Sequence, residues 1–358
     1  MKDMRALLSG YYGFGNLGDE AILAAIAQEL VTQLPQVELE VLSGDPAATQ
    51  RTYGLEACDR WSLRCLWRAL RRSDVLVQGG GGLIQDATSC MSPAYYLGVL
   101  LAARIARRPY AIFCQGVGPL RRWLWRSLTV LLLGKARLLI VRDENSAELL
   151  LRMGLRKPAE VAGDPALLLK SASPEETRQW LAGTGARLPE GYWLVVPRQV
   201  AGAEEAVAEA ARALASLERP VVVMPFQAAD ETLAREVAGI AHGMALPTPE
   251  DPRIGAAIVA GACGVVAARL HALIFAATAG VEAFGVDYDP KVAAFCDAVG
   301  YPHAAQPALE HVAAWAQQVE NGENFLQSQS VERMQSSVRH AFRRLAELLM
   351  RAGASSSV

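Results

Sequence analysis

Short apolar runs alternate with helical patterns from the first residues of the chain. Ala6–Ser9, Glu38–Leu42, Val75–Gln78, Tyr110–Cys114, Leu138–Val141 and Glu160–Ala162 read as strands. Between them, Glu20–Gln33, Leu63–Arg71, Pro93–Ala106, Leu124–Leu133 and Glu144–Met153 read as helices. This alternation predicts stacked βαβ units around a parallel sheet. Ser, Pro and Gly cluster over Lys170–Gly191, which holds one helix candidate, Pro174–Ala182. A second series follows. Its strands are Tyr192–Val196, Val221–Pro225, Gly264–Ala267 and Ala283–Val286, and its helices Glu204–Leu217, Glu231–His242, Pro252–Ala262 and Leu270–Ala279.

The expected fold class is therefore α/β, with two Rossmann-like, doubly wound domains. Their expected bounds are 1–168 and 191–325, joined by a connecting stretch over 169–190 and followed by a terminal segment, 326–358. Within the terminal segment, Ser336–Arg351 is an amphipathic helix that could cross back onto the first domain, and Gly353–Val358 is expected to fray. Two such halves imply an inter-domain cleft, where small-molecule sites usually form.

The strand ends carry the candidate chemistry, because ligands of open α/β sheets bind beyond the carboxyl ends of the strands. The first strand runs into Gly10-Tyr11-Tyr12-Gly13-Phe14-Gly15-Asn16-Leu17-Gly18-Asp19-Glu20. Glycines there permit tight turns and close approach of a ligand, and Asn16 and Asp19 offer short polar groups; Asp19 also reads as a helix N-cap. The loop is not a P-loop and lacks the dinucleotide spacing. The Val75–Gln78 strand ends in Gly79-Gly80-Gly81-Gly82-Leu83-Ile84-Gln85-Asp86, and the next in Gln115-Gly116-Val117-Gly118-Pro119. Glycine combined with Asn, Asp or Gln, without a lysine-rich phosphate clamp, suits a polyhydroxylated ligand better than a nucleotide phosphate. Tight turns alone are the competing explanation.

Cations gather at other junctions. Arg142 comes directly off an apolar strand, followed by Asp143, a cap for the next helix; Asp164 in Gly163-Asp164-Pro165 reads as a structural residue at the hinge. Arg269 and His271 fall between strand Gly264–Ala267 and helix Leu270–Ala279, where free N–H groups already favour an anion. The plainer reading pairs Arg269 with a carboxylate and lets His271 cap the helix. Lys291 follows the next strand, either as part of the same site or as a solvated lysine. Arg269, His271 and Lys291, joined across the cleft by Arg142, would make a basic pocket for a small polyanion.

Composition narrows the classes. The 358 residues are 52% hydrophobic and 20% charged, with a net charge of −2, so no global basic field draws the chain to nucleic acid. Six cysteines (Cys58, Cys65, Cys90, Cys114, Cys263, Cys296) form no CxxC pair, which fits a reducing, cytoplasmic setting without a metal site. The N-terminus has no signal-peptide h-region, and the apolar run Leu128–Val141 is interrupted at 134–137 and too short to span a bilayer. Two stretches, Arg60–Arg72 and Leu120–Arg126, mix Trp and Leu with arginine. They read either as peripheral membrane contacts or as helices on the sheet with arginines reaching out to solvent.

Taken together and in this order, the segments 10–20, 79–86, 115–119, 142–146, 163–165, 269–271 and 287–291 resemble the polysaccharide pyruvyl transferase family. The resemblance implies a glycosyltransferase-B-like pair of domains and transfer of pyruvate from phosphoenolpyruvate to a sugar as a cyclic ketal, with no cofactor or metal. It places Arg142, His271 and Lys291 around phosphoenolpyruvate, where the neighbouring Arg269 would help to neutralise the donor's charge; His271 and Arg142 are the catalytic candidates. The first-domain loops, through Asn16, Asp19, Gly81, Gln85, Asp86 and Gln115, fall on the acceptor side, where the acceptor sugar is free or lipid-linked. The rivals are a nucleotide-sugar-dependent glycosyltransferase of the same architecture and a non-catalytic sugar- or phosphate-binding protein.

Overall fold

A computed structural model describes residues 4–87, 91–306 and 309–355; Cys90 and residues 356–358 of the expected frayed tail lie outside them. The chain divides into two compact units. The first comprises Met1–Phe14, Asp19–Leu169 and Met334–Val358, and the second Gly15–Gly18 and Lys170–Arg333.

In chain order the first series is β1 (Met4–Ser9), α1 (Leu17–Gln33), β2 (Val37–Ser43), α2 (Pro46–Tyr53), β3 (Glu56–Asp59), α3 (Leu63–Arg72), β4 (Val75–Gly79), β5 (Gly82–Ile84), α4 (Met91–Ile105), β6 (Tyr110–Val117), α5 (Trp123–Leu133), β7 (Leu138–Val141), α6 (Glu144–Arg152) and β8 (Glu160–Val161). Its sheet is parallel, in the order β3-β2-β1-β4-β6-β7-β8, with β5 paired to β6. Leu7, Leu76, Ile112 and Leu139 from four neighbouring strands share one buried core with the helices above them. Such strands are covered on both faces and read as continuous apolar runs.

The second series is α7 (Pro174–Thr184), β9 (Trp193–Val196), α8 (Ala203–Ala215), β10 (Val221–Val223), α9 (Glu231–Ile240), β11 (Met244–Ala245), α10 (Pro252–Ala260), β12 (Gly264–Ala267), α11 (Leu270–Ala279), β13 (Ala283–Val286), α12 (Pro290–Val299), β14 (His303–Ala304) and α13 (Leu309–Glu320). Its sheet, again parallel, runs β11-β10-β9-β12-β13-β14. Trp193, Val266, Phe284 and Trp315 anchor its core. The stretch expected to connect the domains contains α7, held by a capping box in which Ser173 and Glu176 bond each other's backbone N–H. Helix α14 (Ser328–Ser355) ends the described chain, and from Met334 onward it belongs to the first unit. It is longer at both ends than the sequence pattern suggests, so residues 353–355 are helical rather than frayed. Within it, Phe342 packs edge-on against Phe113 of β6, with ring centroids 4.8 Å apart.

Each sheet changes direction once. In the first the reversal lies between β1 and β4, and in the second between β9 and β12. The two strands flanking such a point send their following loops to opposite sides, which leaves room for a ligand at the carboxyl ends. Both reversals coincide with motifs singled out above: the glycine loops after β1 and β4, and the Arg269–His271 junction after β12.

Candidate active site

Glycines shape the switch point of the first unit by letting side chains occupy their missing Cβ positions. A Cβ on Gly10 would overlap the Tyr12 ring. The bare backbone thus lets that ring fold back, and its hydroxyl donates to the Gly79 carbonyl at 2.8 Å. A Cβ on Gly81 would fall 2.6 Å from Asp19 Oδ1, so the glycine run after β4 makes space for that carboxylate. Gly13 and Phe14 donate their N–H groups to Glu20 Oε1 at 2.7 and 3.3 Å. Burial raises the Glu20 pKa, and the bonds from Gly13, Tyr53 and Phe14 offset part of that rise.

Arg142 sits at the end of β7, beside Gly116, where a Cβ would stand 3.1 Å from its Nη2. Its Nη1 donates to Asp164 Oδ2 at 3.4 Å and its Nε to Asp143 Oδ2 at 3.3 Å. Burial works against the Arg142 charge, but Asp164 and Asp143 outweigh it and raise the pKa. Asp143 also caps α6 through Ser146, and Asp164 accepts the Ala166 N–H at 3.0 Å. Asp164 therefore serves both its turn and Arg142. The path of β6 helps to bring these groups together. Its register with β7 shifts between Ile112 and Gln115, where Cys114 takes a left-handed φ of 50°, a bulge of the kind that re-aims side chains beside sites.

The residues expected on the acceptor side separate. Asp19 and Gly81 meet, as above. Asp19 is not an N-cap: α1 begins at Leu17, and Asn16 takes that place by accepting the Gly18 N–H at 3.1 Å. Asn16 lies within the second unit. Gln115 is fully buried and accepts from Gln78 Nε2 at 3.2 Å. Gln85 accepts the Ala87 N–H at 2.8 Å. Asp86 binds the backbone N–H groups of Arg121 and Arg122 at 2.8 and 2.9 Å. Slight burial opposes the effect, yet those two N–H groups hold the Asp86 carboxyl below its ordinary pKa. Gln85 thus braces the turn after β5, and Asp86 the turn ahead of α5.

At the switch point of the second unit, four adjacent strands converge. Arg198 follows β9, Gln227 and Asp230 follow β10, Arg269 follows β12, and Tyr288 follows β13. Arg269 donates through Nε to Asp230 Oδ2 at 2.9 Å and through Nη2 to Gln227 Oε1 at 3.2 Å. The other Asp230 oxygen accepts the Gln199 N–H at 3.0 Å. Burial lowers the Arg269 pKa, Asp230 counters it, and the neighbouring Arg198 adds to the lowering. Arg198 lies over the Tyr288 ring, 5.1 Å from its centroid. Burial pushes the Tyr288 phenol up to about 12, and its Oη is buried without a hydrogen-bond partner among the described residues. Asp230 is bonded to Arg269, while Arg198, close enough to lower the Arg269 pKa, has its guanidinium over the Tyr288 ring; two guanidiniums gathered at one switch point suit a small anion.

The expected carboxylate partner of Arg269 is thus real, and it orients the guanidinium. Arg269 occupies the N-cap position of α11 without a side-chain cap bond, and His271 follows in the first turn. A Cβ on Gly18 would overlap His271 Nδ1, so glycine at that position is what admits the imidazole. Leu17 of the same segment donates its N–H to the Phe226 carbonyl at 2.9 Å. Lys291 is half-exposed and pairs with Asp289 at 3.4 Å; that is the solvated lysine of a first helical turn. Arg198 and Gln227 come just after apolar strands and Tyr288 lies in the 287–291 segment, but the sequence alone assigns them no place beside Arg269, and Asp230 carries no signal at all. No group of three or more His, Cys, Asp or Glu among the described residues could hold a metal ion.

The family model described as polysaccharide pyruvyl transferase matches residues 16–290. No curated protein sequence matches the chain. Among solved structures, a glycosyltransferase from Rickettsia africae ESF-5 is similar, with TM-score 0.61 at 8% identity over 98% of this chain and 99% of that one. UDP-GlcNAc 2-epimerase from Neisseria meningitidis, bound to UDP-GlcNAc, has TM-score 0.61 at 12% identity, covering 97% and 100%. The E. coli ADP-heptose lps heptosyltransferase II has TM-score 0.54 at 15% identity, covering 89% and 99%. At these identities the likeness is one of fold: two Rossmann-like units of the glycosyltransferase-B type.

Proposed function

The chain belongs to the polysaccharide pyruvyl transferase family, and from that premise we propose that it moves pyruvate from phosphoenolpyruvate to a sugar of a cell-surface polysaccharide, or to its lipid-linked precursor, as a cyclic ketal. The observation that carries this reading is the gathering of Arg198 and Arg269 at one switch point, Arg269 held by Asp230 and Arg198 over Tyr288, with His271 in the first turn of α11. Phosphoenolpyruvate carries a phosphate and a carboxylate, and guanidiniums bind both through paired, charge-assisted hydrogen bonds.

Ketal formation needs a proton on the donor's methylene carbon, which makes the adjacent carbon an oxocarbenium-like centre. His271 is the proposed acid. One acceptor hydroxyl then adds to that centre, the C–O bond to phosphate breaks, and inorganic phosphate leaves. The second hydroxyl closes the ring. Of the two hydroxyl protons, one restores His271 and the other leaves with the phosphate. Asp19, seated in the space left by Gly81, is the proposed base that first takes an acceptor hydroxyl proton and then hands it to the departing phosphate. Arg142, kept charged by Asp164 and Asp143, is proposed to stabilise the anionic donor.

Phosphate release from phosphoenolpyruvate, measured with a glycan acceptor and with mass analysis of the product, tests the reading. The expected product gains the pyruvate ketal, and phosphate appears in equal amount. Turnover of a nucleotide-sugar in place of phosphoenolpyruvate would replace this reading with a glycosyltransferase; ligand binding without turnover of either donor would leave a binding protein.

A further inference from the structure

Helices α3, α4 and α5 form one layer over the first unit's sheet. Helix α4 packs against both of the others, and Leu66, Leu70, Leu97, Leu100 and Leu132 from the three helices enter one core. The opposite side of the layer is unusual for a face in water. Helix α3 exposes Leu63 and Trp67, α4 exposes Ile105, and α5 exposes Trp123 and Leu131. Leu63 is 81% exposed, Ile105 64% and Trp123 76%.

The charge on this layer has one sign. No Asp or Glu occurs in any of the three helices. Residues 60–140 contain thirteen Arg and Lys against two acids, Asp74 and Asp86, in a chain whose net charge is −2. The two acids offset little of it, although Asp86 partly balances Arg121 and Arg122. Asp74 is buried and accepts the Arg5 N–H at 3.0 Å, and Asp86 is bound to backbone N–H groups at the start of α5. Arg64, Arg68, Arg72, Arg104, Arg122 and Arg126 all reach solvent from the three helices and their ends.

We propose that the α3–α4–α5 layer docks on an anionic lipid bilayer. Arginines alone would suit any polyanion. Leu63, Ile105 and Leu131 decide between them, because exposed aliphatic groups gain only where an apolar phase lies beside the charge. A bilayer surface offers anionic headgroups to the arginines, hydrocarbon to the aliphatic side chains, and a boundary zone that favours tryptophan. A nucleic acid offers little beyond the first, and an acidic protein surface would need an apolar patch matched to all three helices. This inference is independent of the donor and the reaction.

Flotation of the full chain with vesicles tests it without any substrate. The protein is expected to float with phosphatidylcholine vesicles containing phosphatidylglycerol and to stay behind with phosphatidylcholine alone. The fourfold variant R64E/R68E/R122E/R126E should lose on the order of a hundredfold or more in partitioning, since each basic residue contributes to attraction at the surface. L63S/W123S/L131S should keep weak, salt-sensitive binding and lose flotation at high salt. Lipids brominated in the acyl chains should quench tryptophan fluorescence, less so in W123S. Circular dichroism and melting curves confirm that the variants fold. Wild-type protein that ignores anionic vesicles, flotation unchanged in both variants, or binding without acyl-chain quenching would each overturn the proposal, the last in favour of a soluble polyanion.

Discussion

Arg269 and Asp230 are joined side by side, the guanidinium Nε standing 2.9 Å from Asp230 Oδ2, with both side chains almost entirely buried, 11% and 2% exposed. Removing one member of such a pair leaves the other charge without compensation. Asp230→Ala should therefore cost about 3–5 kcal/mol of unfolding free energy, measured by urea denaturation. If the site takes an anionic donor, phosphoenolpyruvate should recover more stability in this variant than in the wild type, because the ligand replaces the lost negative charge. Equal stabilisation of both proteins by the donor would argue against an anion site at Arg269.

Arg198 reaches the same place from the neighbouring strand and rests on Tyr288. Arg198→Ala should weaken donor binding by roughly ten- to a hundredfold, the range of one charge-assisted contact. Tyr288→Phe keeps the ring under Arg198 and should have little effect on binding. Titration calorimetry with phosphoenolpyruvate separates the two. Equal loss in both variants would show that the Tyr288 hydroxyl, not the arginine, meets the ligand.

The sequence carries the fold further than the site. Strands β7, β12 and β13 are bounded to the residue by their sequence, because parallel strands buried on both faces leave continuous apolar runs. Strand β3 and the helix before it leave no such mark: Glu56-Ala57-Cys58-Asp59 is short, partly exposed and polar at both ends. The two-residue strands β11 and β14 are too short to show any period. At the site, the Arg269–His271 junction is legible because cations interrupt an apolar strand-to-helix sequence. Its partners are not. Asp230 and Tyr288 stand 39 and 19 residues from Arg269 in the chain, and only the strand order, with β10 and β13 on either side of β9 and β12, brings them to it. Asp86 reads as a sugar ligand from its position after glycines, while the competition for its oxygens by the Arg121 and Arg122 N–H groups depends on a turn that no spacing rule gives.

His303 supplies a pH test outside the proposed chemistry. It bonds Asp287 at 2.6 Å and Asp297 at 3.0 Å. Burial works to lower its pKa, but the bonds to Asp297 and Asp287 raise it above the ordinary value. A histidine whose folded pKa is raised stabilises the fold fully below its unfolded pKa of about 6.5, and that contribution is lost as pH rises through the folded pKa. The urea midpoint should accordingly fall as pH increases above about 6.5, and His303→Ala should flatten this slope. An unchanged slope in the variant would assign the pH dependence to other groups.

Gly18 and His271 allow the proposed acid to be tested through its support. An ideal Cβ on Gly18 would overlap His271 Nδ1 and stand 2.6 Å from Cε1, closer than any side chain tolerates, so Gly18→Ala must move the imidazole. His271→Ala should lower kcat by roughly two to four orders of magnitude, the usual contribution of a positioned acid, with phosphoenolpyruvate affinity kept within several-fold. Gly18→Ala should lower kcat by a substantial part of that amount while costing about 1–3 kcal/mol in stability, as overpacking does. The decisive measurement is the double variant. In the His271→Ala background the ring that the added methyl would strike is gone, so the second substitution should have almost no further effect on kcat. Multiplying losses would mean that Gly18 acts on the reaction by a route other than His271. Full activity in His271→Ala would remove the histidine from the chemistry and leave the junction as a structural joint around Arg269.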